Sequence, residues 1–187
     1  MPALLLGGAM KQESQQQDLF GSVTESKPKR RKFISIYRVS LVKDEHIKFE
    51  QTSLSNSSQA QDLIRNLIKL QGQPDREQFC VLLLDAKNKT IGLNIVSTGN
   101  LTSASVHPRE VLKPAILANA AAMILAHNHP SGELIPSAED KAITKRIIQA
   151  SRIMGIKIHE HLIIGMEDDQ YFSFADQGLI QEAYEEG

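Results

Sequence analysis

Residues 126–141 read AHNHPSGELIPSAEDK, and this stretch decides the fold because it joins the end of a strand to the start of a helix. The apolar run at 121–126 is typical of a buried strand that leads to the surface. His127 and His129 stand two residues apart on the extension of that strand. We therefore expect both imidazoles on the same face of the strand.

The helix that follows brings a carboxylate to the same place. Ser137 precedes a helical pattern as an N-cap, and Asp140 falls in the first turn. Taken alone, this pair is explained by a capping box, a common device at helix starts. Together with the two histidines it predicts a metal site, because two neutral imidazoles and one carboxylate suit Zn²⁺. Three protein ligands leave a fourth position for water, which is the arrangement of a catalytic site.

The order of these residues is similar to a known signature. His127, one residue, His129, seven residues, Ser137, two residues and Asp140 resemble the JAMM motif of the JAB/MPN metalloprotease fold. Three segments resemble the RadC-like branch of that fold, namely HPREV at 107–111, HNHPSG at 127–132 and HLIIG at 161–165. The similarity extends over about residues 57–180, as in a short form without an N-terminal helix-hairpin-helix domain.

The resemblance implies a fold, a cofactor and a reaction. The implied fold is of the α/β class, with a mixed, cytidine-deaminase-like β-sheet flanked by helices in a single domain. His127, His129 and Asp140 would bind one zinc ion per chain, and Ser137 would stabilise the tetrahedral oxyanion. The implied reaction is cleavage of a peptide or isopeptide bond in a peptide or protein substrate by a metal-bound water.

The resemblance also requires an upstream glutamate as general base, within reach of the reacting water. Glu77 is preferred, because it resembles the family's glutamate at the start of a core strand, here predicted at 77–84. Glu110 is the alternative, since it lies in the family-like segment at 107–111. However, it follows Pro108 in the first turn of a helix, where the helix dipole is enough to explain a carboxylate.

Periodicity and turn residues predict the remaining elements and the domain bounds. Strands are predicted at 33–42, 77–84, 90–97, 156–164 and 171–174, the last at a sheet edge. Helices are predicted from an N-cap at Ser57 or Ser58 to about 70, at 109–121 with an interruption at Pro114, and at 138–154. The domain prediction is a disordered tail at 1–32, a RadC-like JAB/MPN domain at 33–182 and a frayed end at 183–187.

Composition and charge narrow the protein class. The 187 residues are 41% hydrophobic, which is enough for one buried core. A net charge of −1 gives no bulk attraction to DNA or to an anionic membrane. The single cysteine, Cys80, favours a reducing, cytoplasmic setting and cannot supply the Cys-x-x-Cys pair of zinc deaminases. We also expect no membrane span.

The predicted tail carries two short motifs. QQDLF, from Gln16 to Phe20, resembles the peptide by which bacterial replication and repair proteins bind the sliding clamp. KPKRRK, from Lys27 to Lys32, can contact phosphates nonspecifically, although a solvated linker is the simpler explanation. Two alternatives to a zinc hydrolase follow: a metal-dependent nuclease associated with DNA repair, and a noncatalytic adaptor recruited to DNA through the clamp.

Two further features flank the predicted site. His159 and His161 repeat the two-residue spacing, but the resemblance gives His161 a supporting role instead of a ligand's. The family usually has an aspartate before this histidine, where this chain has Glu160. The loop that admits the substrate is expected to be shaped by Asn128, Pro130, Ser131 and Gly132.

The clamp motif makes a direct prediction. The full chain should capture sliding clamp in a pull-down, and changing Leu19 and Phe20 to Ala should abolish capture, because these side chains would fill an apolar pocket. Equal capture by the wild type and the double variant would remove the clamp from the partners of this protein.

Overall fold

Five strands form one mixed sheet in the computed structural model, which describes residues 38, 40–43, 53–70, 73–99, 106–167 and 169–186. The strands are β1 (Gln78–Leu84), β2 (Thr90–Thr98), β3 (Ala122–His129), β4 (Lys157–Gly165) and β5 (Tyr171–Ser173). Their order across the sheet is β2-β1-β3-β4-β5, and β3 and β4 are the parallel pair. The helices are α1 (Ser57–Leu70), α2 (Pro108–Leu117), α3 (Ala138–Ile153) and α4 (Leu179–Glu185). The predicted α/β class is confirmed.

Side chains of the central strands alternate between two hydrophobic layers. Odd-numbered residues such as Phe79 and Leu125 pack with residues of α2, α3 and α4. Even-numbered residues such as Leu82 and Ala126 pack with residues of α1. Because successive strand residues point to opposite faces, His127 belongs to the face that α3 covers.

The parallel pair of β3 and β4 fixes the place of the predicted site. Parallel neighbours need a crossover connection, and α3 supplies it. The chain therefore leaves the carboxyl end of β3 and enters the amino end of α3 at the same edge of the sheet. In open α/β sheets, ligands bind at such carboxyl ends.

Two helices and the hairpin follow the sequence prediction closely. α1 begins at Ser57, one or two residues before the predicted start, and ends at the predicted Leu70, while α3 begins after the predicted N-cap Ser137. α3 stops before Gly155, whose φ of 68° is one that glycine adopts without strain. β1 and β2 form the predicted antiparallel hairpin. Within the described ranges, no helix combines the length and the apolar character that a membrane crossing needs.

The helix predicted at 109–121 is shorter than expected, which corrects its C-terminal bound. α2 continues through Pro114, which is buried, and ends at Leu117. Asn119 then adopts a left-handed conformation with φ of 52°, and its N–H donates to the Ile116 carbonyl. Asparagine tolerates this conformation, so the helix is closed by a local turn that the apolar pattern did not reveal.

The predicted bounds at the two ends of the domain differ from what the described residues show. The predicted tail at 1–32 and its two motifs lie outside the described residues. Of the strand predicted at 33–42, the described residues 38 and 40–42 belong to no strand. The fraying predicted from residue 183 is wrong as far as Glu185, because α4 is helical there and buries Ala183. Tyr184 anchors this helix, since its hydroxyl accepts from the Ile158 N–H at 2.8 Å.

This anchor predicts a stability effect. Tyr184→Phe should lower the free energy of unfolding by about 1 kcal/mol, the usual net value of one hydrogen bond. Denaturant titration measures the change, and Tyr171→Phe, at a half-buried tyrosine of β5, is the matched control. Equal stabilities of Tyr184→Phe and the wild type would mean that the hydroxyl does not hold α4.

Candidate metal centre

His127 and His129, at the end of β3, turn their Nε2 atoms toward each other. These two atoms are 3.0 Å apart. The other ring nitrogens face protein partners: His129 Nδ1 contacts the Glu133 carbonyl oxygen, and His127 Nδ1 lies 2.9 Å from His161 Nε2. Each ring therefore has one nitrogen anchored and the other directed into a shared space.

Asp140 completes the cluster from the first turn of α3. Its Oδ2 accepts from the Ser137 N–H at 2.8 Å and from the Ser137 hydroxyl at 2.6 Å. The Asp140 N–H donates back to Ser137 Oγ at 3.0 Å, which closes a capping box. Oδ1 is left facing His127 Nε2 at 3.4 Å. One ligand atom from each of His127, His129 and Asp140 lies within 4.8 Å of the others.

A buried hydrogen-bond chain determines which nitrogen of His127 carries the proton. The Thr144 hydroxyl donates to the Asp140 carbonyl oxygen at 2.5 Å. Its oxygen, 2.6 Å from His161 Nδ1, must then accept a proton from that nitrogen. His161 Nε2 is consequently an acceptor, and His127 Nδ1 is the donor to it. Neutral His127 therefore presents a lone pair at Nε2.

The tautomer of His129 follows in the same way. Because the Glu133 carbonyl oxygen can only accept, Nδ1 of His129 carries the proton and Nε2 has the lone pair. Two imidazole lone pairs and a carboxylate oxygen thus face one another. Burial lowers the pKa of His127 to about 4, and the His129 charge adds to this, while the Asp140 charge opposes it. His127 is therefore neutral near neutral pH, and two imidazole nitrogens with a carboxylate oxygen are donors that suit a metal cation.

The spacing of the two histidine donors matches a tetrahedral metal site. The 3.0 Å between the Nε2 atoms is close to the edge of a tetrahedron, which is about 3.3 Å for metal–nitrogen bonds of about 2.0–2.1 Å. His127 is buried, whereas His129 and Asp140 are half-buried. The cluster is thus closed on its protein side and accessible on the other, as a site that also admits water must be.

Glu77 lies immediately before β1. In the antiparallel pairing of β1 with β3, the last pair is Phe79 with His127, and Glu77 stands two residues before Phe79. The Phe79 ring stacks on His127, with centroids 6.1 Å apart, which places the odd-numbered side of β1 at the site. The Gly99 N–H donates to the Glu77 carbonyl at 2.8 Å and holds this residue next to β2.

The carboxylate of Glu110, the alternative base, forms ion pairs with two cationic side chains. Its carboxylate accepts from the Lys113 ammonium and from Arg109 Nε, the latter at 3.2 Å. These hydrogen bonds, with Lys113 contributing most, lower the pKa of Glu110. Its proton affinity is therefore reduced, which makes it a weaker base. The role of Glu77 as the general base stays a prediction.

The Ser137 hydroxyl is engaged in a way that the resemblance did not anticipate. It donates to Asp140 Oδ2 and accepts from the Asp140 N–H, so the local explanation by a capping box is correct. To stabilise an oxyanion, the hydroxyl would have to release Asp140 and turn toward the substrate. The predicted oxyanion role therefore stays a prediction, while the orientation of Asp140 by Ser137 is observed.

A cavity of about 700 Å³ lies next to the base candidate and is lined by Asp75, Arg76, Glu77, Gly99, Pro130 and Ser131. Pro130 and Ser131 follow directly after β3, in the loop that leads to α3, and their predicted part in admitting a substrate stays a prediction. Asn128 does not belong to that loop, which corrects its predicted role. It is fully buried, and its side chain contacts the backbone of Arg76, before β1, and of Gln78, the first residue of β1.

The second histidine pair is not a second site. In the pairing of β4 with β3, Met123 faces Ile158 and Ile124 faces Glu160, so His159 is the extra residue of a β-bulge. His159 contacts Asn88 on the surface, whereas His161 is buried against His127.

Glu160, at the position where the family usually has aspartate, faces away from the cluster. Its carboxylate accepts from the hydroxyls of Ser57 and Ser173 and from the N–H groups of His161 and Ala175. The glutamate side chain, one methylene longer than aspartate, therefore binds backbone N–H groups of His161 and Ala175, and His161 keeps its contact with His127.

Comparison with known proteins places this geometry in a family. Residues 54–179, more than half of the chain, match the RadC-like JAB domain. The chain belongs to the RadC-like JAB family. The resemblance predicted from the sequence is thereby confirmed, and the matched range includes the histidine pair, Asp140 and Glu77.

Several relatives of this RadC-like JAB domain carry UPF0758 names. UPF0758 protein YfjY of Escherichia coli is 39% identical over 146 residues, which cover 78% of this chain and 88% of the relative. UPF0758 protein YeeS of the same species is 42% identical over 138 residues, 73% of this chain and 89% of the relative. UPF0758 protein STH371 of Symbiobacterium thermophilum is 53% identical over 104 residues, 56% of this chain but only 44% of the relative. Against such longer relatives, the chain spans about half their length.

The hydrogen-bond chain predicts an effect on metal affinity. Thr144→Val keeps the shape of the side chain but removes the hydroxyl, so His161 and His127 lose their fixed tautomers. Zinc affinity should fall by about 10–100-fold, as for other partners of metal-binding histidines. Titration with a competing zinc indicator measures the change.

Thr144→Ser is the matched control for this prediction, because it retains the hydroxyl and should retain most of the affinity. Equal zinc affinities in the Val and Ser variants would contradict the proposed role of the hydroxyl.

Proposed function

We propose that this RadC-like JAB domain is a JAMM-type, zinc-dependent hydrolase that cleaves a peptide or isopeptide bond. The observation that carries the proposal is the convergence of His127, His129 and Asp140 within 4.8 Å, with lone pairs directed inward. Two imidazoles and one carboxylate are the ligand set of an open catalytic zinc site. A zinc ion held there would polarise the scissile carbonyl and acidify a bound water.

In this proposal Glu77 is the general base and then the general acid. Its place in the fold supports this role, because it stands two residues before Phe79, the partner of His127, and lines the cavity that Pro130 and Ser131 also border. There it takes a proton from the attacking water and returns that proton to the leaving amine. Ser137 orients Asp140 in the resting protein and is the candidate donor to the oxyanion if its hydroxyl turns.

The cavity beside Glu77 supports a chain-like substrate. Its volume of about 700 Å³ is larger than a scissile bond alone needs, and it is lined by the segment before β1, by Gly99 after β2 and by the loop after β3. Its wall carries two carboxylates, Asp75 and Glu77, against one guanidinium, Arg76. A strand of nucleic acid needs a positive groove, so this balance favours a peptide.

Substitution of the two glutamates tests the proposal. Glu77→Gln should keep one zinc per chain and lower kcat by about 10²–10⁴-fold, the usual contribution of general base catalysis. Glu110→Gln should leave both zinc content and kcat unchanged, because that carboxylate is paired with Arg109 and Lys113. Zinc content is measured by elemental analysis, and kcat with an internally quenched peptide library.

His127→Ala serves as the metal control and should lose zinc and turnover together. The hydrolase proposal fails if zinc-loaded wild type cleaves no peptide or isopeptide substrate. The assignment of the base fails if Glu110→Gln, and not Glu77→Gln, abolishes turnover.

A further inference from the structure

Asn128 stands between the two histidines but serves the opposite face of β3. Its Oδ1 accepts from the Gln78 N–H at 2.8 Å. Its Nδ2 donates to the carbonyl oxygens of Arg76 at 2.9 Å and Pro74 at 3.3 Å. The side chain is fully buried, and all three contacts reach backbone atoms of the segment 74–78.

These contacts extend the pairing of β1 with β3 past its last backbone partners. That register ends at Phe79 opposite His127. Beyond this point, the Asn128 amide offers the acceptor and the donors that a peptide group would offer. The assignment of its oxygen and nitrogen is unambiguous, since the Gln78 N–H only donates and the two carbonyls only accept.

The segment held in this way forms one side of the candidate site. Asp75, Arg76 and Glu77 line the cavity from before β1, while Pro130 and Ser131 line it from after β3. Asn128 is the buried side chain that joins these two walls. Its backbone is continuous with both histidines, so a single residue relates the predicted base to the predicted metal ligands.

We propose that Asn128 is a positioning residue, which holds the segment 74–78 and thereby sets Glu77 and one cavity wall against the histidine pair. The inference rests on the proposed function, in which Glu77 is the general base. A base that is displaced by about 1 Å can cost about 10²-fold in rate. No contact of Asn128 with the substrate is required for this effect.

Hydrogen exchange tests the contact itself and needs no turnover. In metal-free protein, Asn128→Ala should speed exchange of the Gln78 amide by at least about tenfold, because its buried acceptor is lost. Zinc content should remain one per chain, since the ligand side chains are intact. Ile124→Val is the matched control, because it loosens the same face of β3 without touching 74–78. Unchanged Gln78 exchange in Asn128→Ala would overturn the proposal.

A double-mutant cycle then separates positioning from general stabilisation. With the fastest-cleaved peptide of the quenched library, Asn128→Ala should lower kcat by about 10²-fold and change KM little. In the Glu77→Gln background the same change should cost less than about twofold, because the positioned group is already gone. An equal loss in both backgrounds would overturn the proposal and leave Asn128 a merely structural residue.

The two failures can be told apart. If zinc-loaded wild type cleaves no peptide, the proposed function fails, and the exchange measurement alone decides whether Asn128 holds the segment. If Asn128→Ala does not fold, Asn128→Ser takes its place in both measurements, with the same expected directions.

Discussion

The structure around the site depends on one buried chain of hydrogen bonds, which runs from the Asp140 carbonyl through Thr144 and His161 to His127. Each of these side chains is buried, and an unpaired buried polar group costs about 1–3 kcal/mol. Since the carbonyl can only accept, every donor in the chain is determined. The consequence is a lone pair on His127 Nε2 that faces the equivalent lone pair of His129 at 3.0 Å.

Side chains alternate along β3, so the two histidines and the asparagine between them face opposite sides of the sheet and have different contacts. His127 and His129 face the layer with α3, where Asp140 meets them, whereas Asn128 faces the other way and holds the backbone at the start of β1. A shift of one residue in register would exchange these faces, so the pairing with β1 and β4 fixes the metal ligands as well as the core. Fold and site are in this sense specified by the same hydrogen bonds.

Much of this arrangement is predictable from the sequence, since the two histidines, Ser137 and Asp140 lie within one short stretch with strand and helix signals around it. The partners of the site are not. Asn128 reaches residues 50 and 54 positions away, and Thr144 meets His161 across 17 positions, so no local pattern reports these contacts. The helix α4, anchored 26 residues away through Tyr184, was missed for the same reason. The early end of α2 was missed because it depends on the left-handed conformation of Asn119, which the apolar pattern does not encode.

Zinc-edge X-ray absorption on wild-type protein loaded with one equivalent of zinc tests the central claim most directly, because it reports the ligands themselves. The account predicts a first shell of nitrogen and oxygen at about 2.0–2.1 Å with the outer-shell scattering of two imidazoles. The same spectrum from Asp140→Ala should lose one oxygen and keep both imidazoles. Zinc without imidazole scattering, or a chain that retains no zinc, would contradict the account.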